Sequence, residues 1–171
     1  MKAKSCAILG CNPIAFPWGY DEEDERCAAL KLALLNRITT LRSESMTVYY
    51  VVLDSGAGLY SAEMIADLCE NDPAIRLICV VPYETQATKW TPELRDRYFN
   101  VQARCSDVLI VSREEDQARE LRAMLEAINR AATVVLATGE DDLYVLVVQQ
   151  YAKQLKRDVI ILDTKKLQFH G

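Results

Sequence analysis

The sequence predicts an α/β protein with a doubly wound, mostly parallel, six-stranded sheet of Rossmann-like topology and helices on both faces. Six near-continuous apolar runs rich in Val, Ile and Leu are typical of parallel strands covered on both faces. Amphipathic stretches of helical length separate these runs, and right-handed crossovers then place helices on both sides of the sheet. The 171 residues contain no repeat and no Pro- or Ser-rich linker, so we expect one domain over residues 1–171.

The predicted elements alternate in order along the chain. The strands are Ser5–Leu9, Val48–Leu53, Ile75–Val81, Val108–Val111, Thr133–Ala137 and Val159–Leu162. The helices are Asp24–Leu41, Ser61–Glu70, Thr91–Arg104, Arg113–Arg130 and Asp142–Leu155. Thr91 is expected to cap the third helix, and Ser112 with Glu115 forms a capping box before the fourth. The tail Lys165–Gly171 is expected to fray or to contact another subunit.

Composition and charge argue against several classes of protein. Half of the residues are apolar and 26% are charged, which is ordinary for a globular protein and unlike a disordered one. No apolar run reaches the roughly 18 residues that cross a bilayer, so we expect a cytoplasmic protein with no membrane partner. The net charge of −5 and the lack of a basic stripe argue against nucleic acid as a partner.

The cysteines do not form a metal-binding pattern. The six are widely spaced without a CxxC pair, and the single histidine, His170, is next to the last residue. Zinc sites usually combine closely spaced Cys and His ligands. We therefore expect no metal and no cofactor, and reduced thiols that serve mostly as small core residues.

Two strand-to-helix connections are long enough to suggest a functional role. About a dozen residues, Gly10–Glu23, follow the first strand, and nearly as many, Pro82–Trp90, follow the third. Both leave the carboxyl edge of the sheet, where open α/β sheets bind ligands. Their large rings either wall a pocket for a flat group such as a nucleobase or staple the loops onto the core. The rings are Phe16, Trp18, Tyr20, Tyr83 and Trp90.

Two shorter turns at the same edge are candidates for anion binding. Asp54–Gly58 follows the second strand and contains a GxG element, whose backbone amides suit an anion or simply a tight turn. Gly139 and the carboxylates Glu140–Asp142 follow the fifth strand. Those carboxylates favour the start of a helix but repel phosphate. The second turn is therefore interpreted as structural, or as selecting a cationic or sugar group.

The loops also carry a distinctive block, Phe16–Asp24 (FPWGYDEED), followed by Cys27–Lys31 (CAALK). Further short motifs are Ala62-Glu63, Pro82–Gln86 with Trp90, and Arg97-Tyr98. Over residues 5–163 these motifs resemble the YpsA branch of the SLOG superfamily, which includes the Smf/DprA and LOG proteins. The resemblance implies one Rossmann-like domain whose carboxyl-edge pocket binds a nucleotide-derived ligand, with no assigned reaction.

The chain departs from that family pattern at its polar positions. Gly10-Cys11-Asn12 stands where the family has Gly-His-Arg, and Val52–Gly58 replaces a glycine-rich GMALGVD turn. Ala123-Met124 falls near an expected Arg-Asn pair, and Glu140–Asp142 or its neighbours replace Gly-Gly-Thr. The scaffold and aromatic loops are retained while the phosphate-facing groups are not. This combination indicates a divergent member with an altered or lost ligand.

Three functions remain open, and the first is a binding module for a nucleotide-like small molecule. Glu63 and Glu84 would hold ribose hydroxyls in such a module. Wall and edge contacts would come from Trp18, Tyr83, Gln86 and Trp90, and backbone donors from Ser55, Gly56 and Gly58. Gly10, Cys11 and Asn12 would sit at the end of the first strand.

The second function is a LOG-like phosphoribohydrolase, in which Glu63 or Glu84 supplies the carboxylate. The PGGxGTxxE motif is absent, and Cys11 as a nucleophile would have no internal histidine as its base. The sequence therefore favours a binding protein over an enzyme and assigns no catalytic residue. The third function is an interaction protein that pairs with itself or with a homologue. DNA binding by analogy with Smf/DprA rests on fold likeness alone.

Overall fold

Strands and helices alternate along the whole chain, as the apolar pattern predicts. The computed structural model describes residues 3–10, 13–113, 118–139 and 143–170. The strands are β1 (Lys4–Gly10), β2 (Met46–Val52), β3 (Arg76–Tyr83), β4 (Asp107–Ser112), β5 (Thr133–Thr138), β6 (Asp158–Asp163) and β7 (Gln168–His170). The helices are α1 (Glu25–Ser43), α2 (Ala57–Asn71), α3 (Pro92–Arg104), α4 (Arg119–Arg130) and α5 (Leu143–Gln154), with a short 3-10 helix at Pro13–Ala15.

The sheet has the doubly wound topology that the sequence predicts. Its strand order is β4-β3-β2-β1-β5-β6-β7, and all neighbours except β6 and β7 are parallel. Successive crossovers run outward from β1 to β4, and the chain then returns to place β5 on the other side of β1. The strand order therefore reverses between β1 and β5, which makes their carboxyl ends the topological switch point.

The seventh strand corrects the prediction of six strands and of a frayed tail. Gln168–His170 pairs antiparallel with β6, with Phe169 opposite Leu162. The guanidinium carbon of Arg37 on α1 lies 4.5 Å from the centroid of the Phe169 ring. Three residues are too few to show an alternating pattern, so only the partner strand and the cation–π contact reveal this element.

Two apolar layers cover the two faces of the sheet. One face packs against α1, α2 and α3, with Ile38, Leu59 and Tyr98 among its buried side chains. The opposite face packs against α4 and α5, where Ile128 and Val148 are buried. On α4 the buried residues recur at the spacing of one helical face, because side chains three and four residues apart lie on the same side.

Helix boundaries agree with the sequence where a side chain caps the helix. Asp24 accepts a hydrogen bond from the Arg26 amide at the start of α1, and Thr91 accepts one from Leu94 at the start of α3. By contrast, α2 begins at Ala57 rather than Ser61, and α4 begins at Arg119 rather than Arg113. The predicted capping box includes Glu115, which lies outside the described residues.

The thiols are reduced throughout the part of the chain that the structure describes. Cys6, Cys27 and Cys79 are buried, and Cys69 and Cys105 are half-buried. Within the described ranges, no three His, Cys, Asp or Glu side chains converge to hold a metal ion. No helix in those ranges is both long and apolar enough to cross a membrane.

Candidate functional site

The carboxyl ends of β1 and β2 meet at a single carboxylate. A Cβ atom built on Gly10, the last residue of β1, would lie 2.6 Å from Asp54 Oδ2 and 3.1 Å from the Cβ of Ala57. Only a glycine therefore lets β1 end directly beside the Asp54 side chain. Gly10 adjoins the switch point, so Asp54 lies where open α/β sheets bind their ligands.

Asp54 occupies the position at the start of α2 that an anion would take. Its Oδ1 accepts hydrogen bonds from the Gly56 amide at 2.8 Å and from the Gly58 amide at 2.9 Å. These amides, predicted as donors to a ligand, already donate to the protein's own carboxylate. A free phosphate at this helix terminus would have to compete with a tethered negative charge.

The two glycines of this turn are required by packing. A Cβ on Gly58 would lie 2.2 Å from the carbonyl oxygen of Val52, which is fixed backbone of β2. A Cβ on Gly56 would lie 2.7 Å from Pro13 Cγ and 3.1 Å from a ring carbon of Phe16. The GxG element therefore lets α2 approach β2 closely and lets the first long loop rest on the turn.

The electrostatic setting of Asp54 brings its titration toward neutrality. Burial raises the pKa of Asp54 to about 6, against the opposing effect of hydrogen bonds from the amides of Gly56, Gly58 and Leu59. Asp54 as a whole residue is half-buried. It thus carries a carboxyl group whose pKa lies near neutrality, on a residue that is not completely enclosed by the protein.

The loop after β1 buries two of its three rings. Phe16 and Trp18 stack with ring centroids 4.8 Å apart, and both join a cluster with Cys27 and Leu30 of α1. Trp18 is only 7% exposed, so its ring anchors the loop by packing into the core. Tyr20 is 52% exposed, and its hydroxyl lies 3.3 Å from Ser55 Oγ. Of the three rings in this loop, Tyr20 is therefore the one that contacts the turn Asp54–Gly58.

An ion network attaches the same loop to three helices. Arg97 of α3 donates to Glu22 of the loop at 2.6 and 3.0 Å, and to Glu63 of α2 at 2.7 and 3.1 Å. Lys31 of α1 donates to Glu22 Oε1 at 2.7 Å, and its Nζ lies 4.7 Å from the centroid of the Tyr60 ring. Glu63, predicted to hold a ribose or to act in catalysis, is thus occupied by a bidentate ion pair.

The network shifts the protonation of its members in the expected directions. Burial by itself would raise the pKa of Glu22, but hydrogen bonds and charge from Arg97 and Lys31 outweigh it and lower that pKa. The bond to Glu63, against the opposing effect of burial, raises the pKa of Arg97, with Glu22 adding to the rise. Sequence reasoning missed this network, although Glu22, Glu63 and Arg97 all belong to the motifs that carry the family resemblance.

The loop after β3 is attached through a buried amide. Gln86 is only 8% exposed, and its Nε2 donates to the carbonyl oxygen of Leu53 at 2.7 Å. Because that carbonyl only accepts, the orientation of the Gln86 amide is determined by this bond. Its Oε1 is buried and has no hydrogen-bond partner among the described residues. The Gln86 side chain therefore holds a buried acceptor, Oε1, without a hydrogen bond next to Leu53, the residue before Asp54.

The other predicted residues of this loop lie elsewhere. Tyr83 packs under Arg119 of α4, whose guanidinium carbon is 3.4 Å from the ring centroid. Trp90 packs edge-to-face against Tyr98 in the α3 layer, with centroids 5.1 Å apart. Glu84 is exposed on the loop. Trp18 and Trp90 consequently belong to separate clusters rather than to two walls of one pocket.

The structure thus brings together one group of predicted residues and separates the rest. We define the carboxyl-edge site as Gly10, Asp54, Ser55 and Gln86, with Tyr20 at its rim. Gly56 and Gly58 support this site from below through their bonds to Asp54. Asp54 was named at the sequence level only as part of its turn, because nothing local shows that its carboxylate folds back onto the helix. Cys11, Asn12 and Glu140–Asp142 lie outside the described residues.

Comparison with known proteins gives one family and several relatives. A family model described as the YspA SLOG family, YpsA, matches residues 6–166. A UPF0398 protein from Bacillus pumilus is 26% identical over 106 residues, which cover 61% of this chain and 56% of that protein. A UPF0398 protein from Bacillus licheniformis is 28% identical over 101 residues, which cover 58% of this chain and 54% of that protein. The chain spans about half the length of the curated relatives it matches.

Among solved structures, the similarity is weak. A chain from Pseudomonas aeruginosa that is named as an aldo-keto reductase aligns over 91% of this chain and 71% of its own length, at 17% identity and a TM-score of 0.32. A second structure of such a protein aligns at 14% identity and a TM-score of 0.30. These TM-scores are too low to indicate a common activity.

Proposed function

This chain belongs to the YpsA family of SLOG proteins, and we propose that it binds a nucleoside-like small molecule at the carboxyl-edge site through hydroxyl and N–H groups rather than phosphate. The names of the curated relatives state no activity, so the proposal rests on the chemistry of the site. The observation that carries it is the carboxylate of Asp54, held at the end of β2 beside Gly10.

Asp54 is suited to accept hydrogen bonds from a sugar. A carboxylate near the switch point of a doubly wound sheet is the group that binds ribose hydroxyls in many nucleotide sites. Each carboxylate oxygen has two lone pairs, so Asp54 retains acceptor capacity beyond its bonds to Gly56 and Gly58. Tyr20 and Ser55, with hydroxyl oxygens 3.3 Å apart, add a second polar group at the rim.

Gln86 supports the same class of ligand from the other side. A buried acceptor without a partner costs about 1–3 kcal/mol, and a ligand N–H or O–H at Oε1 would recover that cost. Nucleobases present such N–H groups at their edges. Because Oε1 is buried, a ligand reaches it only by displacing part of the loop after β3.

Phosphate is disfavoured by the same geometry. The amides that would cradle it donate to Asp54, and the carboxylate repels a second anion. The net charge of −5 adds no long-range attraction for an anionic ligand. We therefore expect the neutral part of a nucleotide, and not its phosphates, to provide the affinity.

The hydrolase alternative has less support. Of its two candidate carboxylates, Glu63 is paired with Arg97 at 2.7 Å, and Glu84 is exposed on the loop after β3. A catalytic carboxylate is usually activated by burial or by a neighbouring group that shifts its pKa. Glu63 is instead neutralised by an arginine, and Glu84 lies in solvent.

Thermal-shift measurements with adenosine, AMP, ADP-ribose and inorganic phosphate test the proposal. A ligand at 100 times its dissociation constant adds about 2.7 kcal/mol, which corresponds to roughly 5–10 °C for a domain of this size. We expect that shift with adenosine and ADP-ribose and none with phosphate. Asp54→Asn keeps an acceptor for the two amides and should abolish the shift, whereas Asp96→Asn on the exposed side of α3 should retain it.

Two outcomes contradict the proposal. A larger shift with phosphate than with adenosine would mean that anion binding dominates despite Asp54. Equal shifts in Asp54→Asn and in the wild-type protein would place the ligand elsewhere on the molecule. Chromatography of the same mixtures after incubation detects any release of free base, and with it the hydrolase alternative.

A further inference from the structure

We infer that the outer face of α1 is a self-association surface, on which α1 packs antiparallel against α1 of a second copy of this chain about a two-fold axis at Asn36. The outer face comprises seven exposed residues of the helix, which are Ala28, Ala29, Leu32, Asn36, Thr39, Thr40 and Ser43. The inference is independent of the proposed ligand site, because the carboxyl-edge site contains no residue of α1.

The outer face of α1 carries no charge. A helix at a protein surface usually presents charged and polar side chains to solvent. In α1, which the structure describes completely, every exposed residue between Arg26 and Glu44 is uncharged. These residues extend over about four turns, and Leu32 among them is 59% exposed. A partner can therefore cover this face without taking a charge out of water.

The charged side chains within the same stretch of α1 are engaged with neighbouring elements. Lys31 donates to Glu22 at 2.7 Å, and Arg42 donates to Asp72 at 2.6 Å. Arg37 stacks on the aromatic ring of β7, and all three cationic residues are half-buried. Two copies can therefore approach through the outer face without like charges meeting in the middle of the helix.

The hydroxyl groups of the outer face are satisfied within the helix itself. Thr39 and Thr40 both donate to the carbonyl oxygen of Asn36, at 3.0 and 2.8 Å. Ser43 donates to the carbonyl oxygen of Thr40 at 2.5 Å. A hydroxyl that bonds its own helix keeps that bond when a partner excludes water, so its burial costs little.

The spacing of the outer face is that of a seam between two paired helices. Ala29, Leu32, Asn36, Thr39 and Ser43 follow one another at alternating intervals of three and four residues. Asn36 is the middle of the five, and its amide both donates and accepts hydrogen bonds. A two-fold axis at Asn36 places this amide opposite its own copy, where the two can bond each other.

The charges at the amino end of α1 favour antiparallel pairing. Asp21, Glu23 and Glu25 are exposed there. Parallel pairing would bring these carboxylates of the two copies together. In the antiparallel arrangement the two acidic ends are separated by roughly the length of the 19-residue helix, about 28 Å. The opposed helix dipoles favour the same direction.

The carboxyl end of α1 offers a complementary charge to the acidic end of a partner. Lys4 donates to the carbonyl oxygen of Glu44 there, at 3.0 Å. An ammonium group has three donors, so this bond leaves two for carboxylates. The axis at Asn36 brings Glu25 of the partner subunit to this end of the helix and places the Glu44 position opposite Ala28 of the partner subunit. The outer face therefore fits a second copy of the same helix at both of its ends.

α5 also exposes apolar residues but offers a smaller surface. Leu146 is 68% exposed and Val147 is 42% exposed. The two are adjacent and belong to one turn of a helix of 12 residues, against 19 residues in α1. A specific interface requires an extended area of contact. Leu146 is therefore useful as a matched exposed leucine outside the proposed surface.

Cysteine cross-linking tests the direction of pairing. With oxidised glutathione as oxidant, two facing thiols form one disulfide and reduce the glutathione to its two thiols. We expect a covalent dimer from Asn36→Cys, and a mixed dimer when Ala29→Cys and Ser43→Cys are combined. Ala29→Cys by itself should give none, because its two copies lie about 21 Å apart along the antiparallel pair.

Non-reducing gels and mass spectrometry identify these products, with wild-type protein as the control for the native thiols. A covalent dimer from Ala29→Cys by itself would overturn the antiparallel direction. No cross-link from either Asn36→Cys or the mixture would overturn the pairing of α1 with itself.

Sedimentation equilibrium tests the surface without added cysteines. Leu32→Lys places a charge without a partner in the seam and should raise the dimer dissociation constant at least about tenfold. Leu146→Lys introduces the same charge on α5 and should leave that constant unchanged. Both leucines are exposed in the single chain, so neither change should lower the melting temperature of diluted protein. A wild-type protein that stays monomeric at high concentration, or a dimer weakened more by Leu146→Lys than by Leu32→Lys, would overturn the inference.

Discussion

The loop after β1 and the loop after β3 look alike in sequence but are attached in different ways. Both are long, aromatic and leave the carboxyl edge of the sheet. The first buries Phe16 and Trp18 against α1 and is held by the Glu22–Arg97 ion pair. The second is attached through Gln86, and four of its residues, Glu84, Thr85, Thr88 and Lys89, are exposed.

This difference shows that aromatic residues in a long loop do not by themselves indicate a pocket. A ring that packs against the core stabilises the folded protein by burial, and it is then no longer available as the wall of a ligand pocket. The polar attachment of the second loop leaves it more able to adjust to a bound molecule, since few apolar contacts oppose its movement. Substitutions at Trp18, Arg97 and Gln86, and the pH dependence of Asp54, test this contrast.

Trp18→Ala should have the largest effect on stability. It removes a fully packed ring from the cluster of Phe16, Cys27 and Leu30 and should lower the free energy of unfolding by about 3–5 kcal/mol. Trp90→Ala removes a ring that is only partly buried and should cost less. Urea denaturation of both variants measures the difference. A smaller loss for Trp18→Ala than for Trp90→Ala would show that the first loop is not the better anchored one.

Arg97→Gln should destabilise the protein by about 2 kcal/mol, because Glu22 and Glu63 would then face each other without their shared cation. Arg104→Gln is a matched control on the same helix, since it contacts the exposed carboxylates of Asp67 and Glu70. Exposed ion pairs contribute about 0–1 kcal/mol. Chemical denaturation at low salt compares the two, and equal losses would contradict a special role for the Arg97 network.

Gln86→Leu should cost about 1 kcal/mol of stability. It leaves the Leu53 carbonyl without its donor but also removes the unsatisfied Oε1. Its larger effect should be on ligand binding, where the shift produced by adenosine should be lost. Glu84→Gln on the exposed part of the same loop should change stability by less than about 0.5 kcal/mol and keep the shift. Thermal melting with and without adenosine measures both quantities.

The pH dependence of Asp54 tests the turn on which both loops rest. Its pKa of about 6 in the folded protein exceeds the value of 3.8 for a free carboxyl group, so the folded state binds this proton more tightly. The resulting stabilisation is complete below about pH 4 and is lost as the pH rises through 6. Relative to Asp54→Asn, the wild-type protein should lose about 1 kcal/mol between pH 4.5 and 7.5, with partial hydration limiting the effect.

That measurement requires denaturation curves of both proteins at several pH values. Identical pH profiles would mean that Asp54 is solvated like a surface carboxylate. A profile in which the wild-type protein gains stability over the variant as the pH rises would mean that the amide hydrogen bonds outweigh burial. Either result would contradict the interpretation that burial dominates the environment of the Asp54 carboxyl group.

Local pattern was sufficient for most of the fold. Runs such as Ile75–Val81 carry their strand character within a few residues, and the caps Asp24 and Thr91 act on amides of the same turn. The family resemblance likewise rests on contiguous motifs, and the match over residues 6–166 confirms it. β7 escaped the pattern because its three residues become a strand only through pairing with β6.

The contacts of the candidate site could not be predicted from the sequence. The long loops and the GxG turn led to the hypothesis of a site at the carboxyl edge, and Gly10, Ser55 and Gln86 were named from sequence. Their partners were not, because Gln86 bonds Leu53 at a separation of 33 residues. Periodicity and spacing describe neighbours along one element and carry no information about such distant pairs.

Sequence alone was enough to predict the alternation of strands and helices and the family, and it led to the hypothesis of a ligand site at the carboxyl edge of the sheet. The tertiary structure alone decided that Trp18 belongs to the core, that Glu63 is committed to Arg97, and that Asp54 fills the start of α2. The reason is physical: secondary structure follows from short-range sterics and hydrophobic period, whereas the role of a polar or aromatic side chain depends on which distant groups the folded chain places beside it.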